Sequence, residues 1–180
     1  MRTLSFGLIL FLVASPCKAA DDFELEPGFT LLLNGKDLTG WKEKKGDVAL
    51  DGKTEAYKGR FTVKDTTLVI DPKVKGDVRI TTTREFAKDV HIKFDYKPGK
   101  ACNNDLFLRG HKFDLVKSDV KNMKEGEWNH FEIVIKGDKI EFLNNGEVQR
   151  KGTVKNPSTV FEIRAEFGEI EFRRMRFEKD

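Results

Sequence analysis

From Asp89 to Lys97 the chain reads D-V-H-I-K-F-D-Y-K, placing Val90, Ile92, Phe94 and Tyr96 on one side and His91, Lys93 and Asp95 on the other. A repeat of two residues cannot form a helical stripe. It builds a strand with one face in a core and the other in water. The pattern returns at Phe131, Ile133 and Ile135, then after Gly137-Asp138 at Ile140 and Phe142, with Asn144-Asn145-Gly146 as a further turn. That segment predicts a hairpin. Phe161, Ile163, Ala165 and Phe167 alternate with Glu162, Arg164 and Glu166, and Gly168-Glu169 leads into 170–177, which predicts a second hairpin. The segments 60–64, 67–71, 78–84 and 106–117 fit strands divided by turns, and no amphipathic helix is evident. Many short strands without helices between them imply an all-β antiparallel jelly-roll sandwich.

With 180 residues, the chain is long enough for one domain with its own core. Fifteen Phe and 11% aromatic residues argue against disorder. The formal charge of +3 is spread without a basic run, so a nucleic-acid partner is not expected. Arg2, the apolar stretch 4–13 and the small residues of 14–20 read as a secretory signal peptide cleaved after Ala19. Residues 20–27 then form a short leading segment and 28–180 a single domain. A secreted or periplasmic location follows, with no membrane association after cleavage. Removing Arg2 and Lys18 lowers the charge to +1 and leaves Cys102 without an intramolecular partner, so a buried thiol is expected there.

Five segments go beyond generic strands. G-F-T-L-L-L-N-G-K-D-L-T-G-W at 28–41, N-N-D-L-F-L-R-G at 103–110, G-E-W-N at 126–129, Asn144-Asn145-Gly146, and G-E-I-E-F-R-R-M-R-F at 168–177 occur in order. Together they make the chain resemble the 3-keto-disaccharide hydrolase domain family over most of 28–178. The resemblance implies a concanavalin-A-like lectin/glucanase jelly roll and a carbohydrate partner, an oxidised disaccharide or glycoside. It also aligns Arg109 and Asp114 with an Arg and a Glu of the central, concave sheet, and Asp95 with an acid on the 90–96 strand. Val116 and Arg164 stand where the family has Gln, Asp105 where it has Gly, and only nine residues separate Val116 from Gly126, which implies a more open cleft.

The chemistry implied is elimination. A ketone at C3 of a sugar acidifies the C2 proton; a base removes it, the group at C1 departs, and water adds back. Asp114 is the expected base and Arg109 the partner of the ketone oxygen, with His111 or Asp95 supplying the acid. Asn103 would hydrogen-bond sugar hydroxyls, and Trp41 or Trp128 would stack on a sugar ring, although core packing is the ordinary use of such rings. The ordinary alternative for Arg109 and Asp114 is a solvated strand face. No H-x-x-x-H spacing is present, so no metal or other cofactor is expected. A second reading, a non-catalytic carbohydrate-binding jelly roll, uses the same face. A two-carboxylate glycosidase is disfavoured because the Glu-x-Asp-x-x-Glu motif is missing.

Overall fold

The computed structural model of the chain describes residues 23–179. The expected signal peptide at 1–19, with Cys17 and Ala19, lies outside the described residues. The described residues form fifteen strands: β1 Thr30–Leu31, β2 Trp41–Glu43, β3 Val48–Ala49, β4 Glu55–Ala56, β5 Phe61–Lys64, β6 Thr67–Ile70, β7 Val78–Phe86, β8 Val90–Pro98, β9 Asn103–Leu108, β10 His111–Val116, β11 Asn129–Lys136, β12 Lys139–Asn144, β13 Glu147–Thr153, β14 Thr159–Phe167 and β15 Ile170–Lys179. They form two antiparallel sheets. One runs β13-β12-β11-β8-β15-β6-β5-β4, with β1 added against β15; the other, of six strands, runs β10-β9-β14-β7-β2-β3. The expected all-β jelly-roll sandwich is what the chain forms. Among the described residues no helix is long and apolar enough to cross a membrane.

The alternating residues meet between the sheets. Ile92, Phe94, Tyr96, Phe131, Ile133, Phe142 and Phe172 of the larger sheet face Trp41, Leu106, Phe113, Leu115, Phe161 and Ile163 of the smaller, all nearly solvent-free. Aromatic contacts bridge the layers: Phe113 lies 5.0 Å from Phe131, and stacks on Phe142 at 4.8 Å between ring centres. Tyr96 enters this core with its hydroxyl satisfied, donating to Asn144 Oδ1 at 2.9 Å. Cys102 is buried, as expected, and burial pushes its thiol up to about 11.

The hairpin of β11 and β12 forms as read from the sequence, with Lys136 opposite Lys139. The expected second hairpin does not. β14 pairs with β7 and β9 in the six-stranded sheet, whereas β15 pairs with β8, β6 and β1 in the other. Gly168-Glu169 therefore carries the chain between layers. The link can do so because Gly168 has φ of +78° and passes within van der Waals reach of the Cys102 backbone, where an added Cβ would stand 2.9 Å from Cα. Gly168→Ala is expected to cost about 2–4 kcal/mol by denaturant unfolding at unchanged m-value. Gly146→Ala has a similar φ of +79° but nothing within 4 Å, and it should cost only about 1–2 kcal/mol. Equal losses in the two variants would show that crowding at the link is unimportant.

Candidate functional site

The two-residue turn Arg109-Gly110 organises the site. Both residues have positive φ, 50° and 81°, as a type I′ hairpin turn requires. Placing the turn there sets His111 opposite Leu108 and Asp114 directly opposite Asp105. Since Leu106 and Leu108 point into the core, Asn103, Asp105 and Phe107 point out, joined by Lys112 and Asp114 of β10, Glu162, Arg164 and Glu166 of β14, and Arg79 of β7.

These outward side chains form a charged lattice. Arg164 Nη1 donates to Asp105 Oδ2 at 2.6 Å and to Glu166 Oε2 at 2.9 Å, while its Nε and Nη2 grip Asp77 at 2.7 and 2.6 Å. Lys112 Nζ lies 2.5 Å from Asp114 Oδ1 and 3.5 Å from Asp105 Oδ1. Glu162 is paired with Lys44 at 2.7 Å and Arg79 at 3.3 Å, and the Arg79 guanidinium covers the Phe107 ring at 4.1 Å. Asp105 is 0% exposed although it faces outward. Burial raises its carboxyl above the usual range, the Arg164 hydrogen bond opposes that, and the neighbouring Asp114 carboxylate adds to the rise. Asp105 Oδ1 and Asn103 Oδ1, two residues apart on the same side of β9, are buried and have no hydrogen-bond partner among the described residues.

Of the residues expected to act together, only Asn103 and Asp114 share this face. Arg109 requires correction as the partner of Asp114. Its strand ends before it, and its guanidinium donates to the carbonyls of Asn156 at 2.6 Å, Lys88 at 3.3 Å and Phe86 at 3.5 Å, so it ties loops together. His111 points inward at the sandwich edge, where Nε2 meets the Thr153 carbonyl at 2.8 Å and the ring leans on Phe142. Asp95 lies on the outer face of the opposite sheet, with the core between it and Asp114. There, burial raises its carboxyl, but the hydrogen bond from His130 and the charges of Arg174 and Arg173 outweigh that and hold it below the usual range. Trp41 is 0% exposed, donates its indole N–H to the Leu32 carbonyl and packs edge-on against Phe161, so it has no surface for a sugar.

The sequence reading missed Asp105, Lys112 and Arg164. The signal was present: once the turn is fixed at Arg109-Gly110, antiparallel register alone sets Asp105 against Asp114. Among the described residues no group of three or more His, Cys, Asp or Glu is arranged to hold a metal ion. Beside this lattice a groove of about 520 Å³ opens where the chain crosses between sheets, lined by Arg60, Lys75, Lys100, Glu166, Phe167 and Glu169 among others.

The comparisons with known proteins agree with this architecture. A family profile described as a 3-keto-alpha-glucoside-1,2-lyase-like domain matches residues 28–122, just over half the chain. No curated protein matches. Among solved structures, the chain is similar to a Parabacteroides distasonis protein provisionally named a glycosyl hydrolase, with 19% identity, TM-score 0.65, and coverage of 84% of this chain and 93% of that one. It is also similar to a carbohydrate-binding module, CBM66, of Bacillus subtilis, with 10% identity, TM-score 0.59, and coverage of 78% and 96%. A Bacillus licheniformis beta-glucanase matches with 10% identity, TM-score 0.57, and coverage of 84% and 97%.

The three carbonyls held by Arg109 make a distinct expectation. Arg109→Ala should destabilise the fold by about 2–4 kcal/mol, because each buried charged hydrogen bond contributes and the carbonyls lose their donor. Any sugar affinity or turnover per folded molecule should stay within about twofold of wild type. A large loss of either at full folding would return Arg109 to the site.

Proposed function

The chain belongs to the 3-keto-alpha-glucoside-1,2-lyase-like domain family, and from that premise we propose that the outer face of the six-stranded sheet cleaves 3-keto-glycosides by elimination, followed by hydration. Asp114 takes the C2 proton. The electron pair left behind moves toward the C3 ketone oxygen, where Lys112 and Arg164 stabilise the developing negative charge. As the C1–O bond breaks, protonated Asp105 gives its proton to the departing oxygen. Water then adds at C1 of the unsaturated ketone, C2 regains a proton, and the net result is hydrolysis. Asn103 Oδ1 accepts a hydrogen bond from a sugar hydroxyl. With the leader removed, this chemistry takes place outside the cytoplasm.

The observation that carries this reading is the buried, outward-facing Asp105 carboxylate, one oxygen of which makes no hydrogen bond among the described residues and only a 3.5 Å ion pair with Lys112, set directly opposite Asp114. Two carboxyl groups side by side do not ionise together easily, so one of them keeps a proton to give while the other accepts one. That division is what an elimination needs. It also replaces the roles expected of His111, Asp95 and Arg109 with groups that share one face.

One feature favours a second reading, a carbohydrate-binding face without catalysis: both carboxylates are engaged by cations, Asp105 by Arg164 and Asp114 by Lys112. Release of p-nitrophenol from a p-nitrophenyl 3-keto-α-glucoside separates the two. The expected result is turnover by wild type and a fall of about 10²–10⁴-fold per folded molecule in both Asp114→Asn and Asp105→Asn, with the folded fraction of each variant measured because Asp105→Asn also breaks the buried pair with Arg164. Binding of the glycoside by wild type with no release would establish the binding face and end the catalytic reading.

A further inference from the structure

The groove beside the lattice contains an electrostatic anomaly. Arg60 is 3% exposed, yet among the described residues no carboxylate lies within ion-pairing distance of it; its Nη1 and Nη2 donate to the carbonyls of Asp71 at 2.5 Å and Glu166 at 3.2 Å. Its Nε is buried and has no partner among the described residues. Burial disfavours the charge, which the more distant Asp71 and Asp77 offset only in part. An enclosed guanidinium without a counter-ion is costly, and a bound anion would relieve it.

The remaining groove lining points the same way. Among the described residues Lys75 and Lys100 have no ion pair, and Glu166 shares Arg164 with Asp105 and Asp77, so the lining sets Arg60, Lys75 and Lys100 against Glu166 and Glu169. Phe167 is 61% exposed and forms part of the wall. It is also the cross-strand partner of Asn103, which stands two residues, or about 7 Å, along β9 from Asp105. The groove is thus the continuation of the Asp105–Asp114 face, offering an aromatic platform and a surplus of positive charge.

We propose that this groove is a second sugar subsite that selects an acidic residue, a glycan unit bearing a carboxylate, with the ring resting on Phe167 and the carboxylate drawn to Arg60, Lys75 and Lys100. The proposal rests on the reading of the neighbouring face as a glycan site and names the substrate class it takes: glycans with an acidic sugar next to the one at Asp105. Guanidinium and ammonium groups in a partly enclosed groove discriminate strongly between a carboxylate and a hydroxymethyl group of similar size.

Calorimetric titration of the full chain with cellobiouronic acid and with cellobiose tests it, since the two differ only by a carboxylate in place of a hydroxymethyl group. The acidic sugar should bind at least about tenfold more tightly at low salt, with the margin shrinking as salt is added. Lys75→Gln combined with Lys100→Gln, both surface changes, should cut that preference to about threefold or less, and Phe167→Ala should weaken both sugars alike. Equal affinities, binding of neither sugar at millimolar concentration, or a preference that survives the double lysine variant would overturn the proposal. Because binding is measured without turnover, selective binding with no cleavage of 3-keto-glycosides leaves the groove standing and removes only the catalytic reading. Cleavage without acidic preference does the reverse.

Discussion

The ion pair between Arg164 and Asp105 is the contact on which the outer face of the smaller sheet depends. An isolated carboxylate withdrawn from water would be strongly disfavoured, and Asp105 is fully withdrawn. Arg164 makes this tolerable by reaching Asp105, Asp77 and Glu166 at once, which joins β9 and β14 to the segment that leads into β7. The planar guanidinium suits this role, with several donors fixed in one fork. The sheet therefore presents a preorganised polar surface, on which Asp105 Oδ1 and Asn103 Oδ1 accept no hydrogen bond among the described residues.

The larger sheet has an ionic network too, and the contrast is instructive. Asp95 is reached by His130, Arg173 and Arg174, while Glu132 lies 2.6 Å from His91 and 3.8 Å from His130. The His130 hydrogen bond and the two guanidinium charges favour the charged form of Asp95. Asp105 is shifted the other way, because burial and a like charge opposite it outweigh its cationic partners. Two acids of one type thus sit in opposite environments: that of Asp95 favours the charged carboxylate, and that of Asp105 disfavours it.

Much of the fold was legible because period-two alternation is a local signal. β8, β11 and β12 follow directly from Val90–Tyr96, Phe131–Ile135 and Ile140–Phe142. Which sheet a strand joins is not local. Gly168-Glu169 is as short as a hairpin turn, and only the packing of β15 against β8 reveals a change of layer. The site was legible in part. Asn103 and Asp114 follow from the family resemblance, which also aligns Arg109 with a residue of the central sheet, whereas Arg109 sits in a turn of positive φ. In the sequence Asp105 stands where the family has glycine, which points to backbone, and its position opposite Asp114 follows only once the turn is placed. Arg164 approaches from β14, 59 residues away in sequence. No local pattern could assign it to Asp105. Trp41 illustrates the same limit, since an indole at a strand start serves a core or a ligand equally well until its neighbours are known.

Proton transfer on this face depends on the Asp105–Asp114 pair holding one proton between them. Carbon-13 NMR titration of the Asp105 side-chain carboxyl in the full chain measures it directly. Asp105 should titrate above the ordinary aspartate value of about 3.9, and the midpoint should move back toward that value when the opposing charge is removed in Asp114→Asn. A midpoint at or below the ordinary value, or one that Asp114→Asn leaves unmoved, would contradict the pairing of the two acids as proton donor and acceptor.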